Sequence, residues 1–158
     1  MLFWDWRGEY DGPSIDSYRG VAEILRRRSF SARYVPARRP PGDGRLADEA
    51  AGLAYVLAEL GRDLTIVWDE IALVCRSSDE EGGPGWLLRY ARPQAIGVWW
   101  ATQFPSRIPT VLLGETRRLF CFHLDHPAHL APLRTYLDEP QLRELASLPP
   151  YDYLEVNK

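Results

Sequence analysis

The segment LTIVWDE, residues 64–70, constrains the fold of this chain more than any other stretch. Its largely apolar run is typical of a strand that is buried on both faces of a parallel sheet. Ligands gather at the carboxyl ends of such strands, so the adjacent carboxylates of Asp69 and Glu70 predict a site for a metal ion and a water molecule. The same two residues also fit the start of a helix whose first turn is acidic.

Apolar segments alternate with segments of helical periodicity along almost the whole chain. This alternation predicts an α/β fold with a mainly parallel sheet flanked by helices, and a length of 158 residues suits one domain over residues 1–158. The predicted strands are 1–6, 31–36, 64–69, 95–103, 118–124 and 151–156, the last at a sheet edge. The predicted helices are 14–28, 46–61, 85–92, 126–137 and 139–148, with polar loops at 37–45 and 77–85.

The composition excludes several classes of protein. A formal charge of -3 with a single lysine, Lys158, is not that of a chain that is basic overall and wraps nucleic acid. Cys75 and Cys121 are too few and too far apart for a disulfide framework or a cysteine zinc site. No apolar run approaches the roughly 18 residues of a membrane span, and no secretion signal opens the sequence. We therefore expect a soluble, cytoplasmic protein.

A second polar element follows the next apolar strand. The segment AIGVWWATQ ends at Thr102 and Gln103, about thirty residues after the acidic pair. A neutral amide at the tip of a neighbouring strand can sense a terminal phosphate or hold the attacking water. The alternative is a polar residue that opens the turn before Pro105.

Three segments together resemble the second half of an FtsK–HerA superfamily ATPase: TIVWDE, LLRYARPQAIGVWWATQFPSRIP and RRLFCFHLDHPAHLAPL. That superfamily includes translocases of double-stranded DNA, conjugation motors and phage genome-packaging ATPases that assemble as hexameric rings. The resemblance implies a RecA-like P-loop NTPase core that uses ATP and Mg²⁺. It implies that Asp69 holds magnesium through water, that Glu70 activates the attacking water, and that Gln103 is the sensor that contacts the nucleotide.

The resemblance extends to other residues. FWDWRGEYDG is similar to the family's second core strand and its turn, with Asp5, Glu9 and Tyr10 at the matching positions. Arg92 falls where members carry the arginine of a Gly-Arg pair, although Ala91 replaces the glycine here. Arg107 and Arg117 are further candidates for an arginine finger that reaches a neighbouring subunit, or for a DNA contact.

The chain departs from the family in its phosphate-binding loop. The G-x-x-x-x-G-K-[ST] sequence does not occur, and GDGR at 42–45 has neither its spacing nor a flanking strand. In the family, the strand before that loop lies between the sensor strand and the strand matched by RLFCFHL, so its loss predicts two unpaired sheet edges. The chain is then a fragment, a domain whose missing strand a partner supplies, or a degenerate ATPase. Each predicts poor ATP binding and negligible hydrolysis by the chain alone.

Two clusters of other residues have competing interpretations. A basic stretch could contact DNA phosphates. Its first three arginines, which are consecutive, also suit a solvated helix end. The stretch comprises Arg26, Arg27, Arg28, Arg33, Arg38, Arg39 and Arg45. Three histidines spaced three apart could bind a metal, but capping or surface roles are favoured; they are His123, His126 and His129. Trp99 and Trp100 are expected on opposite faces of a central strand.

Three functions therefore remain open. The first is the Walker B and sensor half of a DNA translocase or packaging motor, in a homo-oligomeric ring or with a partner that supplies the missing strand. The second is a non-catalytic module that binds a partner ATPase or nucleic acid. The third is a metal-dependent hydrolase that uses Asp5, Asp69 and Glu70 at one edge of the sheet.

Overall fold

The computed structural model describes residues 1–27, 29–37, 44–75 and 83–157. Seven strands and six helices are assigned within this part of the chain. The strands are β1 (Leu2–Trp4), β2 (Ser14–Ile15), β3 (Ala32–Tyr34), β4 (Leu64–Trp68), β5 (Ile96–Trp100), β6 (Arg118–Phe122) and β7 (Tyr153–Asn157). The helices are α1 (Tyr18–Ile24), α2 (Arg45–Leu60), α3 (Gly83–Ala91), α4 (Thr110–Glu115), α5 (Pro127–Leu130) and α6 (Glu139–Leu145).

Five of the strands form one parallel sheet in the order β2-β3-β1-β4-β5. The predicted α/β class with a mainly parallel sheet is confirmed. Because the strands are parallel and in register, with Trp4 opposite Trp68 and Trp68 opposite Trp100, their carboxyl ends meet at one edge. Residues that directly follow β1, β4 and β5 therefore lie close together at that edge.

One face of this sheet holds the core. The fully buried side chains of the central strands alternate with partly buried ones; Leu2, Trp4, Leu64, Ile66 and Trp68 are the buried set. Three helices cover this face: α2 contacts both α1 and α3, and Tyr18 of α1 stacks on Tyr34 of β3. Gly52 of α2 allows Tyr18 to pack closely against this helix, since a Cβ atom at position 52 would lie 2.3 Å from the Tyr18 hydroxyl.

The opposite face of the sheet is only partly buried. Its side chains include Phe3, Thr65 and Val67, and Trp99 of β5 is 56% exposed. The reason is topological: the crossovers β2-α1-β3, β3-α2-β4 and β4-α3-β5 all advance in the same direction across the sheet. Right-handed crossovers that advance in one direction place their helices on one face. The prediction that β4 is buried on both faces is therefore wrong for the described residues.

The five-stranded sheet ends at β5, and β6 belongs to a separate two-stranded sheet. There β6 pairs antiparallel with β7, from Arg118 opposite Asn157 to Phe122 opposite Tyr153. The last strand is thus an edge strand, as predicted, but its partner is β6 alone. Trp99 and Trp100 lie on opposite faces of β5 as expected. However, β5 is the terminal strand of the described sheet rather than a central one.

The boundaries of some elements differ from the sequence predictions. The predicted helix 14–28 is shorter, because Ser14–Ile15 forms β2 and α1 ends at Ile24, before the arginine triplet. The helix predicted at 126–137 splits into α5 and a 3₁₀ segment, Ala131–Thr135. Helix α4 was not predicted at all. Most of the predicted loops 37–45 and 77–85 lies outside the described residues, and so does Lys158.

Candidate functional site

The acidic pair lies directly after β4, at the carboxyl edge of the sheet. Asp69 and Glu70 are partly buried, and a 3₁₀ turn, Ile71–Leu73, follows them. Glu70 has φ 47 and ψ 59, a left-handed conformation that is uncommon for a residue with a side chain. The alternative reading, a helix with an acidic first turn, is wrong, since Glu70 precedes a single 3₁₀ turn. Backbone strain of this kind is often found at functional sites.

The structure brings Glu70 together with the tip of β5. Its Oε1 accepts a 2.6 Å hydrogen bond from the Thr102 hydroxyl, and its Oε2 accepts one of 3.1 Å from the backbone N–H of Gln103. The Thr102 oxygen in turn accepts the backbone N–H of Phe104 at 2.9 Å. The Gln103 residue is exposed. A carboxylate and the backbone of the predicted sensor residue are thus in direct contact.

Tyr10, which follows β1 in the sequence, lies near Asp69. The negative charge of the Asp69 carboxylate acts on the Tyr10 hydroxyl. Burial raises the pKa of Tyr10, and the negative charges of Asp69 and Asp5 raise it further. Tyr10 therefore stays neutral at physiological pH.

Asp5 has a different role from that of the other acids. It is 1% exposed and accepts the backbone N–H groups of Gly8, Glu9 and Tyr10 at 2.7, 2.9 and 3.1 Å. It also accepts a 3.0 Å bond from Arg33. Burial alone would raise its pKa, but Arg33 and the three amides outweigh that effect and hold the pKa below its ordinary value.

This bonding makes Asp5 the centre of a turn rather than a metal ligand. Both carboxylate oxygens are occupied by four donors, so a cation would have to displace Arg33 and the amides. The turn places Tyr10 near Asp69 and stacks its ring on Phe3, with 5.7 Å between centroids. Asp5 is therefore unsuited to the third proposed function, a metal-dependent hydrolase built on three acids.

The candidate arginines lie at different edges of the sheet. Arg92 is exposed in a 3₁₀ turn, Arg92–Gln94, that precedes β5. It therefore lies at the amino edge, at the opposite end of β5 from Gln103. Arg107 is exposed beyond the carboxyl end of β5, with its guanidinium 4.8 Å from the Phe104 ring centroid. Arg117 is exposed just before β6.

The basic stretch is only partly described. Arg26 and Arg27 are exposed beyond the end of α1, and Arg45 is the first residue of α2. Arg33 is engaged within the chain, by Asp5 and by the Gly12 carbonyl at 3.2 Å, which removes it as a DNA contact. Arg28, Arg38 and Arg39 lie outside the described residues.

The three histidines have separate partners. His126 caps α5 by accepting the backbone N–H of Ala128, which confirms the predicted capping role. His129 Nδ1 lies 2.9 Å from the Ser106 hydroxyl, and His123 Nδ1 lies 3.1 Å from the Leu148 carbonyl. In the described part of the chain, no group of three His, Cys, Asp or Glu side chains is arranged to hold a metal.

Sequence reasoning did not identify two of the contacts that shape this site. Thr102 was noted only as the neighbour of Gln103, although a hydroxyl at the tip of a strand next to an acidic strand end is a readable signal. The proximity of Tyr10 and Asp69 had no local signal, because it depends on a turn closed by Arg33 from a third strand.

Comparison with known proteins finds similarity to a phage protein and, in fold, to viral genome-packaging NTPases, while no family model matches the chain. The chain is 20% identical to Protein P9 of Pseudoalteromonas phage PM2 over 151 residues, which cover 94% of the chain and 69% of P9. The genome packaging NTPase B204 from Sulfolobus turreted icosahedral virus 2, in complex with AMP, superposes with a TM-score of 0.72 at 15% identity. That match covers 99% of the chain and 76% of B204.

Related structures give the same result. The complex of that B204 with ATP-gammaS matches with a TM-score of 0.69 at 11% identity, over 99% of the chain and 74% of B204. B204, the DNA-packaging ATPase from Sulfolobus turreted icosahedral virus, matches with a TM-score of 0.64 at 15% identity, over 99% and 76%. The chain has the α/β fold of these packaging NTPases. Among the described residues, none of the helices has the length and apolar character needed to cross a bilayer.

Proposed function

We propose that this chain is the Walker B and sensor half of an FtsK–HerA-type motor that packages or translocates double-stranded DNA at the expense of ATP. The observation that carries the proposal is the contact at the carboxyl edge, where the Glu70 carboxylate meets the Gln103 backbone N–H at 3.1 Å. The packaging NTPases of the same fold are found in complex with AMP and ATP-gammaS, which supports a nucleotide as the ligand of this edge.

The residues at the edge fit Mg²⁺ and ATP. Mg²⁺ is bound in proteins through one or two carboxylates, retained waters and substrate phosphates. Asp69 offers a partly buried carboxylate near the neutral Tyr10 hydroxyl. By the family resemblance, it would hold the ion through water. When bound, the ion neutralises charge on the phosphates.

The remaining roles belong to Glu70 and Gln103. Glu70 acts as the base that orients and activates the attacking water, and Gln103 contacts the terminal phosphate from the tip of β5. In the present structure Glu70 is held by Thr102 and the Gln103 amide. Each of its oxygens keeps a further lone pair that can accept a hydrogen bond from a water molecule.

A motor of this kind works as a ring in which a neighbour completes the site. Arg92 lies at the opposite end of β5 from Gln103, so we assign it a role in trans, at the nucleotide of a neighbouring subunit. Arg107 lies beside the edge and is the alternative finger. The exposed Arg26 and Arg27 are candidates for contacts with DNA phosphates.

The second candidate function is a non-catalytic module that retains the fold and binds a partner ATPase or nucleic acid. One observation favours it: both oxygens of Glu70 are already used within the chain, as expected of a carboxylate with a structural role.

ATP turnover with Mg²⁺ and double-stranded DNA distinguishes the two functions. The chain alone is expected to show negligible turnover, since the main phosphate contacts are absent from its sequence. The complete gene product, defined by sequencing the reading frame around the Met1 codon, is expected to hydrolyse ATP. Glu70→Gln should lower its kcat by about 10²- to 10⁴-fold, whereas Glu144→Gln, at an exposed position of α6, should not.

Each alternative result has a definite meaning. Sustained turnover by the chain alone contradicts the assigned dependence on a separate phosphate-binding loop. Unchanged turnover in Glu70→Gln overturns the catalytic role. A complete gene product that lacks turnover but still binds its partner after the Glu70→Gln change establishes the non-catalytic module.

A further inference from the structure

We propose that this chain associates with further copies of itself through a contact in which an exposed turn of one copy docks on an aromatic surface of the next. The turn comprises residues 149–152, and we call it the tyrosine turn. The surface consists of Tyr55 on α2 and of Trp86 and Tyr90 on α3, and we call it the aromatic ladder. The contact requires neither nucleotide nor DNA, so its test is separate from that of the proposed function.

The tyrosine turn holds a large side chain in an unfavourable backbone conformation. The N–H of Asp152 donates to the Pro149 carbonyl at 3.2 Å, which closes a β-turn with Pro150 and Tyr151 at its centre. Proline favours the first central position of such a turn. Tyr151 occupies the second with φ 73, a conformation that glycine adopts without steric cost. A positive φ is uncommon for a bulky residue, and such outliers cluster at binding and catalytic sites.

Packing within the chain does not offset this strain. Tyr151 is 93% exposed, so folding gains almost no buried area from its ring. Pro149 and Pro150 beside it are also exposed. Tyrosine is enriched among the residues that dominate binding interfaces, and proline-containing segments pack on aromatic side chains in several recognition domains. The turn therefore has the composition and the exposure of a docking element.

The aromatic ladder is an exposed strip that crosses two helices. The rings of Tyr55 and Trp86 stack with 6.2 Å between centroids and an interplanar angle of 17°, and those of Trp86 and Tyr90 lie 4.5 Å apart. Tyr55 is 59% exposed and Tyr90 is 50% exposed, while Trp86 is half-buried. Because the rings hold one another in place, the ladder loses little side-chain entropy when a partner binds. Its ring faces and edges suit a tyrosine flanked by prolines.

The charges beside the two elements are complementary, which favours a second copy of the chain as the partner. Arg89 is exposed three residues after Trp86 on α3 and flanks the ladder on that side. Glu59 is exposed four residues after Tyr55 on α2 and flanks the other side. Asp152, which is exposed at the end of the tyrosine turn, is attracted to Arg89 and repelled by Glu59. The two charges therefore determine how the turn lies on the ladder.

The contact is heterologous, because the turn and the ladder are different parts of the chain. After one contact forms, each copy still has an unused turn or an unused ladder, so association continues until a ring closes or a filament grows. Four residues cover much less than the roughly 1,200 Å² of a stable protein–protein interface, so a single contact is weak. Closure of a ring strengthens the assembly, because the last contact forms between parts that are already linked.

The test follows the self-association of the purified chain by sedimentation velocity at increasing concentration, without nucleotide or DNA. The unmodified chain should associate as its concentration rises. Tyr151→Gly removes the ring and relieves the backbone strain, so this variant should remain folded and associate at least about tenfold more weakly. Tyr151→Phe keeps the ring and is the matched control, which should associate like the unmodified chain. Circular dichroism confirms that each variant is folded.

A mixing experiment separates the two sides of the contact. Tyr151→Gly lacks the docking side chain but retains the ladder. The double variant Tyr55→Ala, Tyr90→Ala retains the turn but lacks the ladder, and both tyrosines are exposed, so the core stays intact. Each variant should be monomeric alone. Their equimolar mixture should form a one-to-one complex and nothing larger, because the two variants have only one functional turn and one functional ladder between them.

Charge variants test the orientation of the turn. Arg89→Glu should weaken association about fivefold, because it places two acidic groups together. Adding Asp152→Arg to Arg89→Glu should restore the association. Arg19→Glu, at an exposed position of α1, is the control and should leave association unchanged.

Four outcomes would overturn the proposal. The first is a chain that stays monomeric at every concentration, which leaves the ladder to a partner of another kind. The second is unchanged association of Tyr151→Gly, and the third is a mixture of the two complementary variants that contains monomers alone. The fourth is an Arg89→Glu variant that associates as tightly as the unmodified chain.

Discussion

The Thr102 hydroxyl donates a 2.6 Å hydrogen bond to the Glu70 carboxylate, and this bond joins the ends of two adjacent parallel strands. It holds Glu70 in a left-handed backbone conformation, with φ 47, that few residues with a side chain adopt. The contact therefore both stabilises the edge of the sheet and determines where the proposed base points.

Replacement of Thr102 by valine removes this bond with little change in shape. The carboxylate keeps the Gln103 N–H but loses its shortest partner, so the free energy of unfolding should fall by about 1 kcal/mol. Urea denaturation measures the change. Thr135→Val, at an exposed position, is the matched control and should be neutral. An unchanged stability of Thr102→Val would show that the hydroxyl does not hold Glu70 in solution.

Asp5 should make the stability of the chain depend on pH in the acid range. Its folded pKa is lowered relative to the unfolded state, so its contribution is fully present above the unfolded pKa of about 3.9. That contribution is lost as the pH falls through the lower folded pKa. Acid denaturation followed by circular dichroism should show this loss in the unmodified chain.

Asp5→Asn should remove that dependence and lower stability at pH 7 by about 3 kcal/mol, because Arg33 is left without its buried partner. Asp11→Asn is the control, since Asp11 is exposed and should change neither property. If the acid transition of Asp5→Asn matched that of the unmodified chain, another carboxylate would be responsible for it.

The sequence predicted the elements whose signals are local. Helix α2 and strand β4 were found nearly to the residue, because a continuous helical period stops at Gly61 and a short apolar run follows. Strand β2 was taken for the start of a helix, since Ile15 fits a helical spacing. Its pairing with β3 is a tertiary contact that the spacing does not reveal.

The candidate site, like the secondary structure, was predictable only where its signals are local. The proximity of Glu70 and Gln103 followed from two strands that end in polar residues and lie next to each other in a parallel sheet. The role of Asp5 did not follow, because a carboxylate at a strand end has the same sequence signal whether it binds a metal or closes a turn. Only its bonds to Arg33 and three amides distinguish the two.

The Tyr10 hydroxyl should report the charge of Asp69. Burial and the neighbouring carboxylates raise the pKa of Tyr10 above its ordinary value near 10. Asp69→Asn removes one negative charge, so the pKa of Tyr10 should fall towards that value while the effect of burial remains. NMR titration of ¹³C-labelled tyrosine measures it, with Asp63→Asn as the control. An unchanged pKa in Asp69→Asn would place Tyr10 away from Asp69.

Ala95 offers a gain in stability at a strained position. It has φ 54 after the turn that precedes β5, and its side chain is exposed. The left-handed conformation costs a residue with a Cβ atom about 1–2 kcal/mol, and glycine avoids this cost. Glycine also gains entropy in the unfolded chain, which offsets about 0.4–1 kcal/mol, so Ala95→Gly should raise the free energy of unfolding by about 0.5–1 kcal/mol.

The matched control for this change is Ala131→Gly, at an exposed residue with φ -53. There glycine relieves no strain and only gains freedom in the unfolded chain, so stability should fall by about 0.5–1 kcal/mol. The two variants should therefore shift the urea midpoint in opposite directions. A loss of stability in both would mean that Ala95 is not left-handed in solution, and that the turn leading into β5 differs from the one described.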